Sequence, residues 1–476
     1  METLTIKNIN SIVKEYLKDK NQTSFDIKEE IALVGWIRTN RDSGKILFIS
    51  FTDGSRLNSL QIVCKENSTE GYEEIKNART GAAIRVIGNI IVTENAQQKF
   101  EIQANKIVLL KQSDESYPIQ KKEHSLEVLR DNSHLRIRTN KFYSIMKLRS
   151  ELSFAVHNFF HLNDFVWISS PIITSNDSEG AGETFSVESK TEPNFFGDSK
   201  ASLTVSGQLH AEAYAQSFKR VYTFGPTFRA DKSHTNRHLS EFWMIEPEIA
   251  FCNLEQLIYL TETFIKFVIK TILKKCNEEI DFFQKLKNDK RISEGKTPID
   301  YKQSLEFIVE NEFIKVNYRD VINILKKDVN SKKVRFDEEN IFFGMDLKTE
   351  HERYICEVIY NRPVFVKNYP RDLKPFYMKL NDDGETVAAM DLLIPGIGEL
   401  VGGSQREDDY QKIVQRCLNQ GINQSEIEWY LELRKYGYWR SSGFGLGFER
   451  LIMFVADLDN IKDAIPFPRS HTQLKF

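Results

Sequence analysis

Residues 221–251 read "VYTFGPTFRA", "DKSHTNRHLS" and "EFWMIEPEIAF" in succession, and this stretch decides the fold. The outer runs are rich in aromatic and β-branched residues, and the ten residues between them are polar. That pattern predicts two antiparallel strands joined by a charged loop. Within 228–251 two arginines, two histidines and four carboxylates share one apolar frame, more charge than a core-filling strand pair would carry. The loop holds Lys232, His234, Arg237 and His238, and Arg229 ends the first strand. Guanidinium groups stay charged and grip phosphate bidentately, so cations converging on a loop mouth suit a polyanion. Taken alone, the stretch also fits an exposed hairpin loop with incidental charges.

Two further stretches weigh against that plainer reading. "SGFGLGFERLIMFVADL", 442–458, is a glycine-rich strand running into an apolar helix, with Arg450 in the helix's first turn. Its alternating Gly443, Gly445 and Gly447 would let a flat ligand approach the backbone. They do not fit GxGxxG, and no GxxxxGK[ST] exists, which argues against a dinucleotide fold or a P-loop. "AAMDLLIPGIGELVGGSQRE", 388–407, places Asp391 and Glu399 in an apolar strand–turn–strand setting, followed by Arg406. Buried carboxylates need cations. Mg²⁺ arriving with a nucleotide would supply them, and structural ion pairing is the alternative. Together the three stretches outline a nucleotide site on an antiparallel sheet.

Upstream, residues 1–20 read as a short amphipathic helix. Five short β-rich runs follow between Ile31 and Leu110, separated by Asp42-Ser-Gly44, Asp53-Gly54 and Gly81. A small barrel of the OB type is the leading expectation, with an SH3-like barrel or a sandwich edge as alternatives. Residues 113–135 read as a hinge. The window 120–150 carries eight Lys/Arg against three carboxylates, which suits either a solvated helix face or a surface that meets phosphates. From 136 to the C-terminus strands and helices alternate, except over 253–340, which reads as a mainly helical insertion. Its lysine-rich part, 284–300, is expected to be a mobile surface segment.

A net charge of −3 over 476 residues points to no polyanionic or membrane partner through bulk electrostatics. The five cysteines are odd in number and contain no CxxC, so reduced thiols in a cytoplasmic protein are expected. No apolar run approaches the roughly 18 residues of a membrane span.

The stretch 228–248 resembles motif 2 of the class II aminoacyl-tRNA synthetases, "GFGLGFERL" resembles motif 3, and "FVWISSPIITSNDSEGAGETF" (165–185) resembles motif 1, with its Pro171. The preceding OB-like domain is similar to that of the aspartate, asparagine and lysine subclass. "TVSGQLHAEAYA" (204–215), "FGPTFRA" and "PGIGELVGGSQRE" look most like the asparaginyl members. The fold so implied is α+β. It has an OB-fold anticodon-binding domain over 1–112 and a catalytic domain over 136–476, built on a mixed, mainly antiparallel sheet flanked by helices.

The resemblance implies an asparagine–tRNA ligase that uses ATP and Mg²⁺, forms an asparaginyl-adenylate, charges tRNA(Asn), and dimerises through motif 1. It also assigns roles. Arg229 would hold the α-phosphate and the asparagine carboxylate. His238 and Arg450 would reach the γ-phosphate, with Asp231 and Arg237 also at ATP. Phe242 would stack on adenine, with Arg450 on the other face. Asp391 and Glu399 would hold Mg²⁺. Glu179 would receive the substrate ammonium, Gln208 would add a contact, and Glu212 and Arg406 would read the side-chain amide. In the barrel Arg38, Phe48 and Gln61 would meet the anticodon, although Phe48 also fits barrel core.

Two departures stand out. Asp231 replaces the usual Glu, and Arg440-Ser441 replaces a usual Pro-His. An aspartate-charging relative is disfavoured because Ala211 occupies the place of a lysine in the aspartate enzymes. A non-charging paralogue that binds tRNA or ATP is disfavoured by the intact motif residues.

Overall fold

The computed structural model describes residues 3–18, 30–93, 98–120, 124–175, 184–192, 195–197, 200–233 and 235–476. The chain divides into two compact units, residues 1–143 and 144–476.

In the first unit, β1 (Ile31–Asp42), β2 (Ile46–Thr52), β3 (Leu60–Lys65), β4 (Ala83–Val92) and β5 (Phe100–Lys111) close into a barrel of order β1-β2-β3-β5-β4. Strand β1 pairs antiparallel with both β2 and β4, and a parallel β3–β5 pairing completes the ring. Period-two alternation sends Leu33, Ile37, Leu47, Ile49, Phe51, Ile62, Ile84 and Val86 inward. The helix Ile6–Lys18 adds Ile6, Ile9 and Val13 to that core, as its amphipathic spacing requires. A closed five-stranded barrel in this order is the OB arrangement, so the SH3-like and sandwich alternatives fall away. The polar segment after it is partly helical, because Ser125 accepts from the Val128 amide and caps a short helix, Leu126–Asp131.

The second unit is built on an eight-stranded sheet. Its strands are β6 (Val166–Trp167), β9 (Arg220–Phe228), β10 (Glu241–Ala250), β11 (Ile314–Asn317), β12 (Val364–Pro370), β13 (Thr386–Ile394), β14 (Gly398–Gln405) and β15 (Ser441–Gly447). A separate two-stranded ribbon joins β7 (Ile173–Thr174) to β8 (Ser202–Leu203). The large sheet runs β11-β12-β13-β14-β15-β10-β9-β6, antiparallel except at its two edge pairings. That arrangement rules out a parallel dinucleotide-binding sheet. The central strand β13 is buried at every position, and its neighbours pack into a core with Tyr318, Val321, Leu325, Ile413 and Tyr430.

Between β10 and β12 lie helices Leu254–Lys275, Asn277–Ser293, Tyr301–Glu310 and Tyr318–Asn330, with β11 among them. Of the segment 284–300 expected to be loose, 284–293 is helical, continuing the helix to Ser293, and 294–300 is a turn and irregular chain. Acidic Glu278 and Glu279 begin it and basic Lys290 and Arg291 end it, which suits the helix dipole. Lys287 and Lys290 pair with Asp457 and Asp459 at 2.7 and 3.0 Å.

Candidate active site

The β9–β10 hairpin places the first group of cations. Nine residue pairs from Phe228↔Glu241 to Arg220↔Ile249 fix its register. The Arg229 amide donates to the Ser240 carbonyl at 3.0 Å where the charged loop begins. The Arg229 guanidinium lies 5.4 Å from the centre of the Phe242 ring. Arg237 donates to the Ile397 carbonyl at 2.6 Å, which ties the loop to the β13–β14 turn. Burial lowers the pKa of His238, and Arg450, Arg229 and Arg237 add to that, with Asp231 opposing them. The imidazole is therefore neutral at pH 7, and its Nδ1 lies 3.1 Å from the Ser233 hydroxyl. His234 and Glu179 fall outside the described residues.

Arg237, His238, Asp391, Glu399 and Arg450 line one cavity of about 680 Å³. Asp391 comes from β13 and Glu399 from β14, where Asp391 pairs with Gly402. A Cβ on Gly402 would lie 3.3 Å from Glu399 Oε1 and 3.5 Å from Asp391 Oδ1, so the missing side chain leaves a cradle beneath two converging carboxylate oxygens. That donor set fits a hard divalent cation. Among the described residues no group of three His, Cys, Asp or Glu could hold a metal, so phosphate oxygens would have to complete its shell.

Sequence reasoning missed two neighbours of this pair. Lys374 Nζ lies 2.6 Å from Asp391 Oδ2. Burial opposes its charge, but Asp391 and Glu399 outweigh burial and hold its pKa above the usual lysine value. The Glu352 carboxylate accepts from the Glu399 amide at 3.0 Å. Burial, with Glu399 and Asp391 nearby, pushes it up to about 7. Neither residue stood in a stretch with a phosphate-binding or metal-binding pattern.

Glu212 and Arg406, expected to read the side-chain amide, occupy a second, fully buried cluster, and neither lines the cavity. Arg406 grips Glu248 through Nε and Nη2, and its Nη1 donates to Ser404 at 2.8 Å. Glu212 lies on the helix Gln208–Phe218. Its Oε1 accepts from Arg434 at 2.5 Å and Tyr438 at 2.6 Å, and its Oε2 from Tyr430 at 2.7 Å. Arg406 Nε is 4.0 Å from Glu212 Oε2. Gln208 begins the same helix, and among the described residues its buried Nε2 has no hydrogen-bond partner.

Two of the three glycines of β15 have close neighbours on β10, and among the described residues Gly447 has only the Arg450 side chain, at 3.8 Å. A Cβ on Gly443 would collide with the Glu248 carboxylate, and one on Gly445 would come within 2.9 Å of the Met244 methyl. These two glycines therefore make room for side chains of β10.

Residues 125–471 match the family described as tRNA synthetases class II (D, K and N), and residues 31–110 match the OB-fold nucleic acid binding domain. The chain is 56% identical over 476 residues, all of both chains, to the asparagine–tRNA ligase of Malacoplasma penetrans. It is 55% identical to that of Mycoplasmoides gallisepticum, covering 94% of this chain and 96% of the relative. The chain belongs to the asparagine–tRNA ligases. A crystal structure of the asparaginyl-tRNA synthetase from Pyrococcus horikoshii, complexed with asparaginyl-adenylate, superposes with a TM-score of 0.83. It is 33% identical and covers 94% of this chain and 96% of its own.

In the barrel of this ligase, Phe48 is half-buried on the outer face, with the Arg41 guanidinium 5.0 Å from its ring centre, so it is not barrel core. Gln61 donates to Glu101 at 2.8 Å. Arg38 donates to the Arg138 carbonyl, and burial lowers its pKa. Trp36, which the sequence reading passed over, is 46% exposed on β1. The alternation of Leu33, Gly35 and Ile37 inward with Val34 and Trp36 outward was the available signal. In the second departure, Ser441 is buried at the start of β15, and Arg440 lies with its guanidinium 5.8 Å from the Trp439 ring centre.

Proposed function

We propose that the cavity lined by Arg237, His238, Asp391, Glu399 and Arg450 holds ATP, and that the buried Glu212–Arg406 cluster selects asparagine. As a class II ligase the chain joins asparagine and ATP into asparaginyl-adenylate with release of pyrophosphate, then passes the asparaginyl group to the terminal ribose of tRNA. The observation that carries the ATP assignment is the convergence of three cationic or imidazole side chains and two carboxylates on one cavity of about 680 Å³. Positioning and charge stabilisation supply the catalysis.

Arg229 bonds the α-phosphate and the asparagine carboxylate, spreading the charge that grows at phosphorus. Phe242 and Arg450 face the two sides of the adenine. His238 and Arg450 meet the γ-phosphate, with Arg237 and Asp231 at the rim of the nucleotide site. Asp391 and Glu399 hold Mg²⁺, which when bound polarises the phosphates and stabilises the departing pyrophosphate. Gln208 gives its unpartnered Nε2 to the substrate, and Glu179 receives the substrate ammonium.

The barrel over 1–112 takes the anticodon through Phe48 and Gln61 with Arg38 alongside, stacking and hydrogen bonding being the usual means. The catalytic domain is 136–476, and 113–135 is the hinge between the two activities. Five free, buried cysteines and the lack of any helix long and apolar enough to cross a membrane, among the described residues, support a cytoplasmic location.

The test is ATP–pyrophosphate exchange with asparagine, aspartate and lysine in turn. Exchange with asparagine is expected, and exchange with aspartate alone would overturn the reading. Arg229→Ala should keep the fold and lose roughly 10²–10³ in exchange rate, about 3–4 kcal/mol of transition-state stabilisation. A near-normal rate would remove Arg229 from that role.

A further inference from the structure

Tyr430, Arg434 and Tyr438 recur at every fourth residue, ahead of β15, and all three are buried. The Arg434 guanidinium lies 4.2 Å from the Tyr430 ring centre and 4.2 Å from that of Tyr438, clamped between them. Its Nε and Nη1 donate to the Glu407 and Tyr430 carbonyls, both at 3.0 Å, so the fork cannot swing. What remains, Nη2, points at Glu212 Oε1, with the two tyrosine hydroxyls on either side.

A carboxylate offers about four acceptor positions. On Glu212 the two on Oε1 are filled by Arg434 and Tyr438, and one on Oε2 is filled by Tyr430. Among the described residues one position is left, on Oε2, the oxygen nearest Arg406. Arg406 is fixed in turn by Glu248 and Ser404, and two of its five N–H donors are not engaged by these bonds. The cluster therefore presents one open acceptor on Glu212 and open guanidinium donors on Arg406, both groups held in place. An amide, with one NH₂ and one carbonyl, satisfies that pair. A carboxylate, with two acceptors and no donor, does not.

We propose that Tyr430, Arg434 and Tyr438 are positioning residues that hold Glu212 with a single free acceptor, and that they thereby set the preference for an amide over a carboxylate side chain. This rests on the reading that Glu212 and Arg406 meet the substrate side chain. Without the Tyr438 hydroxyl, Oε1 regains a free acceptor and Glu212 loses one of its three anchors. The carboxylate can then turn, and its match to the amide degrades.

The test uses the full-length ligase, with pyrophosphate exchange measured against asparagine and aspartate. Tyr438→Phe keeps the ring that clamps Arg434 and removes only the hydroxyl. It should raise the KM for asparagine about tenfold, in line with one lost hydrogen bond to a charged group. The asparagine-to-aspartate ratio should fall several-fold, while the KM for ATP and the Tm stay near wild type. Arg434→Lys keeps the charge without the fork, and should lower the same ratio. Glu212→Gln is the control for the underlying reading. If that ratio collapses in Glu212→Gln but stays within about twofold in Tyr438→Phe, the positioning proposal alone is overturned. If Glu212→Gln leaves the ratio intact, the reading of Glu212 at the side chain is wrong, and the proposal falls with it.

Discussion

His238 shows how one side chain can carry a pH dependence. Burial, with Arg450, Arg229 and Arg237 adding to it, lowers its pKa in the free protein. A phosphate placed beside it would raise that pKa again, because a nearby opposite charge favours the protonated ring. ATP binding is then coupled to proton uptake, and by linkage ATP binds more tightly as pH falls towards the pKa of the bound form. The KM for ATP should therefore decrease between pH 8 and 6 in the wild type, and this slope should be absent in His238→Gln. Lys374 gives a second residue-scale expectation. It is the nearest cation to Asp391, and Lys374→Met would leave Asp391 and Glu399 facing each other. Breaking a buried pair costs about 3–5 kcal/mol. The variant should melt well below wild type in EDTA and regain much of the difference in millimolar Mg²⁺. An equal Tm in both buffers would show that the carboxylate pair does not take the cation.

At the scale of elements, the hairpin and the strand–helix junction were legible because their chemistry is local. Aromatic and β-branched runs mark β9 and β10, and the glycine run ending at Gly447 marks the change from β15 to the helix Phe448–Ala456. What could not be read is what faces each element from another part of the chain. Gly443 looked like a ligand approach and is instead clearance for Glu248, which a register fixed only by folding places opposite it. Glu212 and Arg406 were found as candidates, but the residues that tie them down, Arg434 and Glu248, lie 222 and 158 positions from their respective partners. The stretch 284–293 looked loose because its anchors Asp457 and Asp459 are remote in sequence. A measurable consequence follows for β15. Gly443→Ala would push a methyl into the carboxylate that Arg406 holds, an overpacking that costs about 1–3 kcal/mol. Tm should fall accordingly, and the KM for asparagine should rise more than the KM for ATP, since Arg406 loses its anchor while the nucleotide cavity is untouched.

At the scale of the whole molecule, the second unit leaves an unusual amount of apolar surface in water. Phe154 and Leu162 on the helix Asn140–Leu162, Trp167 on β6, and Tyr214 and Phe218 on the helix Gln208–Phe218 are each more than half exposed. Strand β6 is the end of the eight-stranded sheet, an open edge of two residues. The helix Asn140–Leu162 meets β9 through Phe160 on Tyr222 and the helix Gln208–Phe218 through Ala211 and Ala215 beside Val221, so these apolar groups lie on both faces of the sheet near its β6 end, and exposed groups of this size suit association. An exposed sheet edge is ordinarily covered or paired. The motif 1 segment supplies β6, so the homodimer expected from the resemblance would close through this edge. A two-fold dimer uses the same patch twice, so a single charge introduced there is buried in the interface twice. Sedimentation velocity at micromolar concentration should give twice the chain mass for the wild type. Trp167→Asp should shift the population to single chains and lower pyrophosphate exchange with it. A wild-type protein that sediments as a single chain, with full exchange activity, would show that this surface serves another partner.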